Sequence, residues 1–177
     1  MNNVKYKYIK NVLNEDTCNL FTNWMKHKAI KNNLTGDGQI PESSSLHSRE
    51  DDLMRAILYY LKERIEYETC LNLQPTYAYT RLYYFGAELK RHRDRPSCEI
   101  SCTLTLNYDY VDKDYQWPIY MGETPVVIPK GDAVVYKGME IDHWRTTFIQ
   151  PRPSYHHQIF LHYVNADGHF TDFKEEI

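Results

Sequence analysis

The chain has 177 residues and a formal charge of −3, from 21 Lys and Arg against 24 Asp and Glu. That length suits one well-packed domain and is short for two, and the slight acidic excess argues against a dedicated nucleic-acid or anionic-membrane binder. No stretch approaches the ~18 consecutive apolar residues of a membrane span, and the N-terminal Met1, Asn2 and Asn3 open no signal-peptide apolar region, so neither membrane insertion nor Sec export is expected.

The first third reads as helical. Asn14 is a cap for a helix from about Glu15, with Leu20, Phe21, Trp24 and Met25 as its apolar stripe. A polar, Gly- and Ser-rich loop covers residues 31–45, long enough to be either disordered or functional. A second helix is predicted from Ser48, where Ser48, Arg49, Glu50 and Asp51 resemble a capping box, with Leu53, Ile57, Leu61 and Ile65 on its apolar face. Both helices are expected to pack against a sheet.

From Pro75 the chain turns to short strands rich in Tyr, Thr, Val and Ile, predicted over 76–85, 99–108, 126–128, 133–136 and 157–164. Turns such as Pro129 to Asp132 separate them, and no helical pattern intervenes, so parallel βαβ units are not expected. Helices followed by strands imply an α+β chain with an antiparallel barrel or sandwich core. The chain is read as a single domain, residues 1–75 being mainly helical support and loop and 76–172 the barrel core.

The composition holds 16 Tyr, 8 His and only 4 Cys. Cys18, Cys70, Cys98 and Cys102 form no CxxC pair, so reduced thiols are expected rather than disulfides or structural zinc. The histidines lead further. In an extended segment, residues i and i+2 face the same side, so His92 and Asp94 form an adjacent imidazole and carboxylate. His143, after the strand at 133–136 and its turn, is a third candidate ligand. Two His and one carboxylate on one side of a metal form the facial triad of non-haem Fe(II) oxygenases, although a zinc hydrolase can use the same set. Of the other histidines, His27, His47 and His169 are expected at the surface, and His162 packed or beside the site. His156 and His157 face opposite ways and cannot share one metal. Asp142 either orients a ring or meets solvent. Trp117 and Trp144 are expected in packing rather than in a pocket wall.

The sequence around these ligands, Tyr83-x-x-Gly86-x-x-Leu89-x-x-His92-x-Asp94, then Gly131 to Tyr136, His143-Trp144-Arg145 and Phe160 to Val164, resembles the Fe(II)- and 2-oxoglutarate-dependent dioxygenases of the prolyl 4-hydroxylase-like branch. With Asp94 to Glu99, Trp117 to Ile119, and Asp167 and Gly168 added, it is similar to a subgroup often met in phage and bacterial genomes. The resemblance covers roughly residues 76–172 and implies a double-stranded β-helix, a jelly-roll or cupin-like core. It implies Fe(II) on His92, Asp94 and His143, with 2-oxoglutarate and O2 as cosubstrates, and matches Tyr83 to a tyrosine that hydrogen-bonds 2-oxoglutarate. No catalytic residue is implied beyond the iron site.

One departure stands out. Family members usually place Lys or Arg at the start of the last barrel strand, where this chain has His156, His157 and Gln158. Arg145, two residues after His143 and so on the same face, is preferred as the substitute over Arg152 in its proline-flanked turn, because a guanidinium holds a carboxylate by two parallel hydrogen bonds. The expected activity is hydroxylation of an amino-acid residue in a peptide or protein, or of a free amino acid, releasing succinate and CO2 in the cytoplasm of a bacterium or phage-infected host. The loop at 31–45 or the turn at 109–116 would close over the substrate. A nucleobase oxygenase and a non-catalytic cupin-like binding module are the alternatives; nucleic acid is disfavoured as a partner, no membrane is expected, and the oligomeric state is open.

Overall fold

A computed structural model describes residues 4–32, 34, 36–41, 44–49 and 51–173. The elements in chain order are β1 (Tyr6–Ile9), α1 (Glu15–Asn32), β2 (Ser45–Arg49), α2 (Asp52–Thr69), β3 (Leu73–Tyr83), β4 (Leu89–His92), β5 (Ile100–Asp109), β6 (Ile119–Met121), β7 (Thr124–Val126), β8 (Ala133–Lys137), β9 (His143–Arg145) and β10 (Tyr155–Asn165). A six-stranded sheet in the order β1-β8-β5-β10-β3-β2 faces a four-stranded sheet in the order β4-β9-β6-β7, and every pairing is antiparallel. This is the double-stranded β-helix, with β1 and β2 added at the two edges of its larger sheet.

Strand alternation divides the larger sheet into two chemically different faces. Ala78, Leu82, Cys102, Leu104, Val135, Ile159, Leu161 and Tyr163 are buried on its outer face or just beneath the helices. With Cys18 and Phe21 of α1 and Met54, Ile57, Leu58, Leu61 and Ile65 of α2, they form the main hydrophobic core. Each fully buried apolar side chain in such a layer contributes about 1.5–3 kcal/mol. The inner face instead carries Tyr79, Arg81, Tyr83, Gln158, Phe160 and His162, interior residues that are mostly polar or aromatic.

The helices begin and end for identifiable reasons. Asn14 Oδ1 accepts from Thr17 N at 2.8 Å, capping α1 as expected. Asp51, not Ser48, caps α2: its carboxylate accepts from Leu53 N at 2.9 Å, and the helix ends at Cys70 in the left-handed conformation, with φ 56°. Ser48 lies in β2, whose pairing with β3 the helix-oriented reading of that segment missed. Glu50 lies outside the described residues. Leu20, expected in the α1 stripe, is 65% exposed, whereas Phe21 and Met25 of that stripe are buried, joined by Cys18. The N-terminal third is thus not only helix and loop, since it supplies both edge strands. All four cysteines are free thiols. No described helix is long and apolar enough to cross a membrane.

One polar contact ties α1 to the sheet. His157 points outward from β10, with Nδ1 at 2.9 Å from Thr22 Oγ1 and Nε2 at 2.8 Å from Thr80 Oγ1. Complete burial, and to a lesser extent the charge of Lys26, push its pKa down to about 3. Since an unfolded histidine titrates near 6.5, the folded state prefers the neutral ring. Its contribution is full above pH about 6.5 and is lost as pH falls toward about 3. The free energy of unfolding should therefore decline by about 1.4 kcal/mol per pH unit for this proton across that window. Chemical denaturation of wild type and His157→Asn from pH 7 to 4 should show a shallower pH slope in the variant, whatever its absolute stability.

Candidate metal centre

The sites of His92, Asp94 and His143 are set by one pairing and one turn. His92 ends β4, His143 opens β9, and the two are directly opposed in the antiparallel register, their ring centroids 4.2 Å apart. Asp94 follows β4, its N–H donating to Gly138 O at 2.9 Å. Its Oδ1 lies 3.7 Å from His92 Nε2 and 3.4 Å from His143 Nε2, and one ligand atom from each residue falls within 4.8 Å of the others.

The surrounding hydrogen bonds prepare these atoms. His92 Nδ1 is 2.8 Å from Lys90 O and His143 Nδ1 is 3.2 Å from Ile141 O. A carbonyl only accepts, so Nδ1 carries a proton in each ring, and Nε2 is the atom turned toward Asp94, a donor to it when protonated and a free lone pair for a cation when not. Burial, then the neighbouring His143, hold the His92 pKa below its usual value. For Asp94 burial works upward, but it is outweighed by the hydrogen bond and charge of His143, the charge of His162 and the Ser101 hydroxyl, and the carboxyl sits at about 2. Ser101 Oγ donates to Asp94 Oδ2 at 2.7 Å and lies 3.0 Å from His162 Nδ1, which places His162 behind the carboxylate rather than among the ligands. Two imidazoles and a carboxylate with converging ligand atoms suit a divalent cation with open coordination positions.

Gly138 makes this arrangement sterically feasible. A Cβ there would overlap Cys98 O and the Asp94 carboxylate. Gly138→Ala should therefore displace Asp94 and weaken divalent-metal affinity by about 10- to 100-fold, the range for disturbed ligand support. Metal titration alongside circular dichroism would separate this from loss of the fold.

A cavity of about 400 Å³ opens on the three ligands, and its wall includes Tyr79, Arg81, Phe160, Asp37, Gln39 and His47. The wall therefore recruits the 31–45 loop and the edge strand β2. His47, expected at the surface, turns inward because it stands opposite Arg81 in the β2–β3 register. Residues 109–116, the other candidate closure, do not line this cavity. Tyr110 and Tyr115 help line a separate one of about 310 Å³ beside Trp117 and His156. His27 and His169 are exposed, and Asp142 bonds Arg91 and Arg93 rather than a ligand ring. Trp144 stacks on Tyr120 with centroids 4.0 Å apart.

The two arginines weighed for a carboxylate occupy opposite environments. Arg152 lies on an exposed turn, its guanidinium 5.1 Å from the Tyr84 ring centroid. Arg145 is 1% exposed inside the barrel, donating to Trp117 O and lying 4.5 Å from the Trp117 ring centroid. Its Nε has no acceptor, and no carboxylate among the described residues pairs with it. Burial pulls its pKa down to about 10, so it remains a cation at neutral pH. Tyr83 is fully buried, edge-on to Trp117 at 5.0 Å, and its hydroxyl accepts from Arg81 Nη1 at 3.2 Å. Arg81 was missed from the sequence, though the signal existed: it stands two residues before Tyr83 on the same strand and therefore shares its face. Interior atoms Arg81 Nε, Arg145 Nε, His156 Nε2 and Gln158 Oε1 all lack protein partners. An interior with that many unmet polar atoms fits a polar, anionic guest.

No protein-family model and no curated protein matches this sequence. Solved structures do. A prolyl-4-hydroxylase from Pseudomonas putida is similar with TM-score 0.68 at 18% identity, over 91% of this chain and 94% of that one. The viral collagen prolyl hydroxylase of Paramecium Bursaria Chlorella virus-1, in its 2-oxoglutarate complex, is similar with TM-score 0.67 at 11% identity, over 92% and 97% of the two chains. HygX from Streptomyces hygroscopicus, with nickel and 2-oxoglutarate bound, has TM-score 0.68 at 10% identity, over 94% and 85%. The chain has the fold of these oxygenases. At such identities the likeness is one of fold.

An unpaired buried guanidinium costs the unliganded protein stability, because its lost hydration is not repaid by a counter-charge. Arg145→Met, which fills a similar volume, should leave the unliganded protein with a thermal midpoint at or above that of wild type. A large drop, read by scanning calorimetry, would mean that Arg145 serves packing instead.

Proposed function

We propose that this chain is a non-haem Fe(II)- and 2-oxoglutarate-dependent oxygenase acting on an amino-acid substrate, the whole chain forming one catalytic domain. The observation that carries the reading is the pairing of a three-donor cluster with an anionless, fully buried Arg145 two residues along the same strand as one donor. His92, Asp94 and His143 would hold the iron, and Arg145 with Tyr83 the far carboxylate of 2-oxoglutarate. Bound there, iron and 2-oxoglutarate supply oxidation of a C–H bond by O2, one oxygen atom entering the product hydroxyl and the other succinate, with loss of CO2.

The protein's own part is positional. The Lys90 and Ile141 carbonyls orient both imidazoles, Ser101 steadies the carboxylate, and the stacked rings of Tyr79 and Phe160 form part of the cavity wall beside them. Hydrolysis on a zinc ion is less well supported. Among the described residues lining the cavity the carboxylates are Asp94, a ligand candidate, and Asp37, paired with Arg81, which leaves no free carboxylate there to activate water.

The test is anaerobic Fe(II) titration followed by 2-oxoglutarate and O2, with succinate quantified. Wild type should bind one iron and form succinate, whereas His92→Ala should lose iron. Arg145→Gln should raise the 2-oxoglutarate requirement about 10- to 100-fold, the value of one or two charge-assisted hydrogen bonds. Iron binding unchanged in His92→Ala, with no succinate from wild type, would refute the assignment.

A further inference from the structure

The loop that reaches the cavity brings a charge into it. Arg81, 1% exposed on the inner face of β3, stands between His47 of β2 and Gln158 of β10 in the sheet register. Its Nη2 bonds the Asp37 carboxylate and, at 3.0 Å, Gln39 Oε1. Its Nη1 donates to Tyr83 at 3.2 Å, and its Nε has no partner. Rings of Tyr79, Tyr83 and Phe160 surround the guanidinium, with centroids 5.3–5.7 Å away. Asp37 is 22% exposed at its side chain, so the pair runs from the barrel interior toward the mouth. The loop is anchored by the fully buried Ile40, turns at Gly38 with φ 79°, and holds the Gln39 amide 3.4 Å from His92 Nε2. A cation and an anion therefore share one wall of the cavity that contains the three ligands.

Resting on the oxygenase reading above, we propose that the substrate is a free α-amino acid, its carboxylate taken by Arg81 and its ammonium by Asp37. The two buried arginines divide the labour by what each already holds. Arg145 has no anion and lies deeper along β9, which suits the dicarboxylate cosubstrate. Arg81 already holds a carboxylate delivered by the loop, and its Nε has no partner, which suits an exchangeable carboxylate arriving through the mouth. A prolyl residue inside a peptide carries neither charge. Set against this pair, it would offer a charge to neither ion, whereas a zwitterion supplies a partner to each. Tyr79 and Phe160, which line the cavity of about 400 Å³ together with Arg81 and Asp37, then face the amino acid's side chain.

The experiment titrates the twenty L-amino acids into protein loaded with Mn(II) and 2-oxoglutarate under argon, with heat as the readout. In parallel, succinate formation by the Fe(II) protein in air is followed. For any amino acid that binds, two derivatives are compared: its N-acetyl form, which lacks the ammonium, and its amide, which lacks the carboxylate. At least one free amino acid should bind and stimulate succinate formation about tenfold, with both derivatives at least tenfold weaker. Arg81→Gln should weaken the amino acid at least tenfold, and more than it weakens 2-oxoglutarate. Asp37→Asn, at a partly exposed position, should narrow the gap between the amino acid and its N-acetyl form, which holds the proposal to account even if Arg81→Gln does not fold. The proposal falls if no amino acid binds, if a capped derivative or a Pro-containing peptide binds as well, or if the Arg81 loss falls mainly on 2-oxoglutarate. Amino-acid binding without any succinate would instead retain the Arg81–Asp37 site and remove the oxygenase reading.

Discussion

The rest of this structure depends on the burial of two guanidiniums inside one small barrel. Arg81 and Arg145 are each 1% exposed. Removing an ion from water costs several kcal/mol even after local relaxation, and folding must offset that elsewhere. The offset lies on the other side of the same strands. Because side chains alternate, the segments that turn Arg81, Gln158 and His162 inward turn Leu82, Ile159 and Leu161 outward beneath the helices. A continuous apolar layer against α1 and α2 thus supports a polar interior that could not stand alone.

The two cations are then handled differently, and the difference reads as division of function. Arg81 has Asp37, Gln39 and Tyr83, which makes it a fixed part of the wall. Arg145 has a carbonyl and an aromatic face but no anion. A barrel adjusted only for stability would replace such a side chain with a hydrocarbon. Ligands that bind the folded state alone restore the missing free energy by mass action, so such a site is costly when empty and stabilising when filled.

Much of this was legible in the sequence, for physical reasons that also mark its limits. Period-two alternation announced the long strands β3, β5 and β10 and put His92 beside Asp94. The opposition of His92 and His143 followed only from the implied fold, because the two lie far apart in the chain. The strands that escaped notice, β1, β2, β4, β6 and β9, have three to five residues, too few for a period to register against noise. Ser48 shows the cost. Read locally, it begins a plausible capping box; in the folded chain it pairs with Thr80 and the cap passes to Asp51. His47 was misassigned for the same reason, since its polar neighbours say surface while the register with Arg81 says cavity.

The loop at 31–45 shows what the barrel alone does not provide. The double-stranded β-helix supplies the candidate metal donors from β4, the turn after it and β9, and supplies Arg145 and Tyr83 from its strands. It leaves one side of the cavity to whatever precedes it. Here that side is made by Asp37, Gln39 and His47, on a loop and an edge strand outside the eight barrel strands. The candidate donors sit on paired strands and the turn after one of them, whereas this wall sits on an element joined to the barrel by an edge pairing, the Ser44 carbonyl that accepts from Tyr84 N, and the buried Ile40. The solved structures similar in fold differ in what they are named for or found with, a collagen prolyl hydroxylase in one and bound hygromycin B in another, while sharing the barrel. Changing that detachable wall alters what the cavity recognises without disturbing the strand register on which the metal donors depend. For this chain, selectivity is therefore to be sought in residues 36–49 before the barrel itself.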